Sequence, residues 1–151
     1  MKETIKEILR EGKEPTLYTS VVLDDNSRKE LLKSVTKFIP EGWKVIGHHM
    51  TIYYGKESII KNEVPELIDK VTQDIKNNVT ADIKVIGIGL SDKAMAVKVE
   101  GYPSKNEIPH ITIAVNEAEG GKPVMSNNIT NWFGYGGDLN LSGKVVEKIF
   151  N

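Results

Sequence analysis

Hydrophobic and polar positions along this chain switch between a period near 3.6 and a period of two, and each switch marks an element. Residues 2 to 12 place Ile5, Ile8 and Leu9 at helical spacing and predict a short amphipathic helix closed by Gly12. Leu17 to Leu23 is rich in β-branched residues and reads as a strand. It stops at Asp24-Asp25-Asn26, a cluster suited to capping the next helix, which carries Leu31, Leu32, Val35, Phe38 and Ile39 on one stripe. Pro40 and Gly42 end that helix. Trp43 to Tyr54 predicts one long strand, and residues 56 to 78 a charged segment, helical in part and interrupted at Pro65. Thr80 to Leu90 and Lys93 to Val99 predict paired strands around the turn residues Ser91-Asp92. A further strand begins after Pro109, and a last one runs from about Leu139 to Phe150. Between them, residues 120 to 138 are irregular, with five glycines and a short helix from Ser126.

Two of these strands carry the chain's most informative signal. His49-Met50-Thr51-Ile52 and His110-Ile111-Thr112-Ile113 repeat one pattern, and residues i and i+2 of a strand share a face. Each strand therefore presents His and Thr on a polar wall and Met or Ile on an apolar one. His48 points away from His49 on the same grounds and receives no catalytic role. An imidazole titrates near 6.5, so one histidine can take a proton while its twin delivers one. Two hydroxyls beside them suit the non-bridging oxygens of a phosphate. Together these groups can run an in-line phosphoryl transfer by general base and general acid catalysis. The plainer alternative is that both histidines are ordinary strand residues beside strand-favouring threonines; the repetition of the whole pattern weighs against it. A site of two histidines and a carboxylate holding iron or zinc is a third reading, but Thr stands at i+2 in both copies where Asp or Glu would be wanted. We therefore expect no metal and no cofactor.

Composition narrows the class. At 151 residues and 39% hydrophobic content the chain fits one globular domain, residues 1–151. Its formal charge of −1 argues against a broad footprint for duplex nucleic acid, so a nucleotide ligand should be small and pocketed. Without cysteine it has no disulfide framework and no thiolate zinc site. No apolar run reaches spanning length, and the charged start does not read as a signal peptide, so we expect no membrane partner.

The paired His-x-Thr strands in a small cysteine-free chain resemble the two-histidine (2H) phosphoesterase superfamily. Longer stretches are similar to one group within it, the phage anti-CBASS phosphodiesterases. These are Tyr18-Thr19-Ser20-Val21-Val22-Leu23-Asp24, Gly47-His48-His49-Met50-Thr51-Ile52, Gly89 to Val97, Pro109-His110-Ile111-Thr112, Gly120-Gly121-Lys122-Pro123-Val124 and Asn131-Trp132, in order over residues 16 to 132. The resemblance implies an α+β fold with two antiparallel sheet lobes around a central cleft and helices packed outside. It implies catalysis by His49, Thr51, His110 and Thr112. The implied reaction is 2′-hydroxyl attack on the adjacent 3′-5′ phosphodiester of cyclic di- and trinucleotide messengers, such as 3′3′-cyclic GMP-AMP. The implied setting is evasion of bacterial antiphage defence in the cytoplasm of the infected host, with cyclic oligonucleotides as partners and no obligate protein partner. Alternatives are an RNA 2′,3′-cyclic phosphodiesterase and a cyclic-nucleotide sponge that binds without cutting.

Four further residues are substrate-binding candidates. Tyr18 is suited to stack on or hydrogen-bond a base, although aromatic strand residues are usually core. Lys122 is the only charged residue between Glu119 and Asp138, in a Gly-Gly-Lys-Pro loop; a phosphate contact and a solvated loop lysine both fit. Trp132 fits one wall of a base pocket or a core anchor for the irregular segment. Glu147 alternates in phase with Leu139, Leu141, Val145 and Ile149, so its carboxylate needs a partner: an exocyclic amine of a ligand, or the solvent of a fraying strand end. Lys29, Lys33 and Lys37 form a solvated helix face.

Overall fold

The computed structural model describes residues 14–150, so the helix expected over residues 2 to 12 lies outside the described residues. Eight strands follow in chain order: β1 (Thr16–Leu23), β2 (Lys44–Val45), β3 (His49–Lys56), β4 (Thr80–Leu90), β5 (Ala94–Glu100), β6 (His110–Val115), β7 (Trp132–Gly134) and β8 (Asn140–Phe150). Three α-helices accompany them: α1 (Asp25–Val35), α2 (Glu57–Glu63) and α3 (Pro65–Lys76). The strands pair antiparallel in the order β3-β1-β8-β4-β5-β6, and β6 returns to β3, so the two lobes are halves of one sheet closed into a barrel. β2 extends along β6, and β7 along β4.

Local chemistry explains the helices. The Asp24 carboxylate accepts the Ser27 backbone N–H at 2.7 Å and caps α1. Pro65 opens α3, where a missing N–H costs nothing. α1 and α3 pack against β8 and α2 against β3, burying Leu31, Val35, Ile60 and Val71. The apolar strand face meets them with Val21, Met50, Ile52, Val97, Ile111 and Ile113, all wholly buried. These residues alternate with the motif side chains, so the buried face holds the motif strands while the other face stays open. Lys29, Lys33 and Lys37 are exposed, as expected. Among the described residues no helix is long and apolar enough to cross a membrane.

Four segments depart from the sequence-based expectation. The helix expected to run to Pro40 ends at Val35, and a 3₁₀ turn over Thr36–Phe38 leaves Phe38 37% exposed, off the apolar stripe. The long strand over 43 to 54 is broken: Gly47 adopts φ 61°, a left-handed conformation that ends β2 and lets β3 restart at His49. A 3₁₀ helix occupies Pro123–Asn128 instead of starting at Ser126, because the proline fits a first turn. Trp132–Gly134 forms the short edge strand β7 inside the segment read as irregular.

Candidate active site

The break at Gly47 sets the register of the site. Val45 pairs with Ala114, but five residues later Met50 pairs with Ile111, only three residues back along β6. Two residues are thus absorbed between β2 and β3. Met50 opposite Ile111 brings His49 across from Thr112 and Thr51 across from His110. Each histidine faces the threonine of the other motif, and the two histidines occupy a diagonal, where neighbours stand roughly 7–8 Å apart and their Cβ atoms somewhat closer. All four residues line one cavity of about 540 Å³, a size suited to a small organic ligand.

Every motif side chain has a neighbour that orients it. The His110 ring is 8% exposed, and its Nδ1 donates to the Ile108 carbonyl at 2.7 Å. That bond fixes the tautomer and leaves Nε2 free to exchange a proton. Burial holds the His110 pKa below the ordinary imidazole value, against a smaller upward pull from the same carbonyl. On the other strand, His49 Nε2 and the Tyr18 hydroxyl share a hydrogen bond of 2.5 Å, and the same hydroxyl lies 3.2 Å from Thr51 Oγ1. Burial also lowers the His49 pKa, helped by the positive charges of His48 and Lys148. Thr112 Oγ1 sits 2.8 Å from the hydroxyl of Ser126, itself 1% exposed. Each threonine is therefore held by a second hydroxyl, Tyr18 on one side and Ser126 on the other.

Of the other sequence candidates, Tyr18 lines the cavity, where it meets His49 and Tyr54 edge-on. Trp132 lines a smaller adjoining hollow of about 260 Å³ and also anchors the core, donating to the Ile129 carbonyl at 3.0 Å. Lys122 is exposed and stands just outside the cavity lining, next to Pro123 and Val124, which do line it. Glu147 also lies outside the lining. It is exposed near the end of β8, and its carboxylate accepts from Tyr53 at 3.3 Å and Thr19 at 3.4 Å, so solvent and two protein hydroxyls are its partners. His48 is exposed and does not line the cavity; it precedes β3, so strand alternation does not govern its direction.

Sequence reasoning missed Lys105, Asn106, Asn127 and Ser126. The first two sit on the loop of residues 101–109, which is clamped onto the first motif strand. Ser104 Oγ donates to the carbonyls of Thr51 (2.9 Å) and Ile52 (3.3 Å), and the Lys105 N–H donates to Ile52 at 2.7 Å. The signal available was position alone: this loop runs directly into the second motif strand. Lys148 was missed because its relation to His49 depends on β8 pairing beside β1, where it stands opposite Tyr18. Among the described residues no three His, Asp or Glu side chains form a metal-holding group.

No protein-family model matches the chain, and no curated protein matches it in sequence. Among solved structures, the crystal structure of a fungal RNA kinase is similar, with a TM-score of 0.58 and 17% identity. The match covers 91% of this chain and 46% of that one, so this chain spans less than half of that neighbour's length. The likeness is one of fold alone: an α+β chain whose antiparallel sheet closes into a barrel with helices outside.

Proposed function

We propose that this chain is a metal-independent phosphodiesterase that opens cyclic di- and trinucleotide messengers such as 3′3′-cyclic GMP-AMP, and that it does so against CBASS antiphage defence in an infected bacterial cell. The observation that carries this reading is the register of Met50 opposite Ile111, which puts two His-x-Thr pairs diagonally on one cavity wall. A scissile phosphate seated between the rings meets a proton acceptor on one side and a donor on the other. The 2′-hydroxyl attacks phosphorus and loses its proton to one imidazole. The 5′-oxygen leaves with a proton from the other, giving a 2′,3′-cyclic phosphate end and a 5′-hydroxyl. Thr51 and Thr112 donate to the non-bridging oxygens as charge gathers there. Each imidazole supplies about 10²- to 10⁴-fold, and fixed geometry supplies much of the rest. No step in this scheme calls for a Lewis acid. The sequence resemblance supplies the messenger class and the setting.

The test is direct. Protein is mixed with 3′3′-cyclic GMP-AMP in EDTA, heat-denatured and resolved by chromatography; linear product is the expected result. Full recovery of intact nucleotide that had been bound overturns cleavage and leaves a sponge. The 2′-deoxy analogue should return uncut, because it lacks the nucleophile. His49→Ala and His110→Ala should each lower turnover by about 10²-fold or more while binding persists, as for groups that act mainly in the transition state. A near-normal rate in either variant removes the mechanism. The second reading, an RNA 2′,3′-cyclic phosphodiesterase, is favoured by the fold likeness to an RNA kinase. Faster turnover of RNA 2′,3′-cyclic ends than of cyclic dinucleotides selects it.

A further inference from the structure

Lys105 stands where the larger cavity and the Trp132 hollow adjoin, and both are lined by it together with Asn106, His110 and Asn127. Among the described residues lining the larger cavity it is the one side chain with a permanent charge, and no carboxylate accompanies it. Its backbone is fixed by the Ser104 and Ile52 bonds, so the position of its stem is set by the fold. Its ammonium lies 3.3 Å from the Glu63 carboxylate, and the two side chains are 33% and 46% exposed. An ion pair this wet adds little stability and exchanges readily. In the proposed scheme Thr51 and Thr112, each held by a second hydroxyl, serve the oxygens of the scissile phosphate. On the cyclic-dinucleotide reading the ligand ring carries a second, unreacting phosphate, and Lys105, which lines both cavities together with His110, is the cation available to it.

We infer that Lys105 is a clamp for the second phosphate of the substrate, held in reserve by Glu63 until the ligand replaces that carboxylate. This rests on the cyclic-dinucleotide reading and adds to it a specificity residue and a competitor. A phosphodiester oxygen makes a charge-assisted bond to the ammonium, while Glu63, on the outer helix α2, returns to solvent. The clamp favours ligands with two phosphates over ligands with one.

The experiment measures binding by calorimetry, so that it does not depend on turnover. The probes are the 2′-deoxy analogue of 3′3′-cyclic GMP-AMP and the linear deoxydinucleoside monophosphate, which keeps both bases and a single phosphodiester. Lys105→Gln should weaken the cyclic probe about tenfold, the size expected for one lost bond to a charged group, and the linear probe by clearly less. Glu63→Gln should act in the opposite direction and tighten the cyclic probe by about two- to threefold. Equal losses on both probes place Lys105 at the scissile phosphate and overturn the inference. So does a Lys105→Gln protein that binds the cyclic probe like the parent, or a Glu63→Gln protein that binds it more weakly. If the parent cleaves cyclic GMP-AMP while any of these results is found, the clamp alone is wrong. If the parent neither binds nor cleaves cyclic dinucleotides, the function itself falls and takes the clamp with it.

Discussion

Burial disfavours the charged form of both motif imidazoles, and this sets the working pH. The pKa values of His49 and His110 both lie below 6.5. Catalysis needs one ring neutral and the other protonated, and that singly protonated pair is most abundant between the two values. The kcat/KM profile, which reports the free protein, should therefore peak below pH 6.5 and fall on the alkaline side as the last proton leaves. The kcat profile should lie at higher pH, because a bound phosphodiester favours the imidazolium. A kcat/KM optimum above pH 7 contradicts both the scheme and the burial argument. Tyr18→Phe keeps the ring and deletes the hydroxyl that holds His49 and Thr51. It should lower kcat about tenfold, the weight of one hydrogen bond felt in the transition state, with a smaller change in ligand affinity. The four motif residues were legible in the sequence because a period of two fixes which side chains share a face. The role of the Tyr18 hydroxyl was not, since the sequence holds no sign that β1 runs beside β3 in the register that brings Tyr18 to His49.

At the scale of elements, the turn at Gly47 decides whether the two motifs meet. Gly47 has φ 61°, and a Cβ there would lie 2.8 Å from Leu32 Cδ2 on α1. Gly47→Ala should cost about 1–3 kcal/mol from left-handed strain and overpacking together. The checks are a lower urea midpoint and a loss of turnover that persists well below it, because the two residues absorbed between Val45 and Met50 also place His49. A variant with parental stability and parental rate removes this account of the register. β-Branched content carried the sequence reading of β1, the Ser91-Asp92 turn that of β4 and β5, and alternation that of the motif side chains on β6 and of β8; the register shifts at Thr19/Ser20, Val85/Gly87 and Met95/Ala96 left no sign in the sequence. Alternation failed at 46–48, because an isolated glycine between Ile46 and His48 reads equally as part of a strand. It failed at β7 as well, since three residues pairing at an edge leave too short a pattern to detect. Lys105 and Asn106 escaped for a related reason: their loop is irregular, and only its contacts with Thr51 and Ile52 tie it to the cavity.

For the whole molecule, closure of the barrel brings together segments distant in sequence, as when Tyr18 on β1 aligns with Lys148 on β8. The hairpin of β4 and β5 was local enough to anticipate from a turn and two alternating runs, whereas closure through β1 and β8 depends on pairings between the two ends of the described chain. All three histidines of the chain have folded-state pKa values below 6.5, His49 and His110 by burial and the exposed His48 by partial desolvation with help from Arg28. On unfolding they return to about 6.5, so between that value and their folded values the unfolded chain binds more protons. Stability contributed by keeping these rings neutral is fully present above pH 6.5 and is lost as pH falls below it. The depressed Asp74 carboxylate, bonded to Tyr102 at 2.7 Å, adds a separate loss at lower pH, below the ordinary carboxylate range. A phosphodiester reverses the histidine contribution, because it remains an anion throughout and is bound best beside a protonated ring. The rise in melting temperature produced by the 2′-deoxy analogue of 3′3′-cyclic GMP-AMP should therefore be larger at pH 5.5 than at pH 7.5, while the ligand-free protein melts lower at pH 5.5. Replacing both His49 and His110 by Gln should remove most of the difference between the two ligand shifts. A ligand shift that is the same at both pH values in the parent protein means that binding takes up no proton, and the anion then does not lie between these two rings.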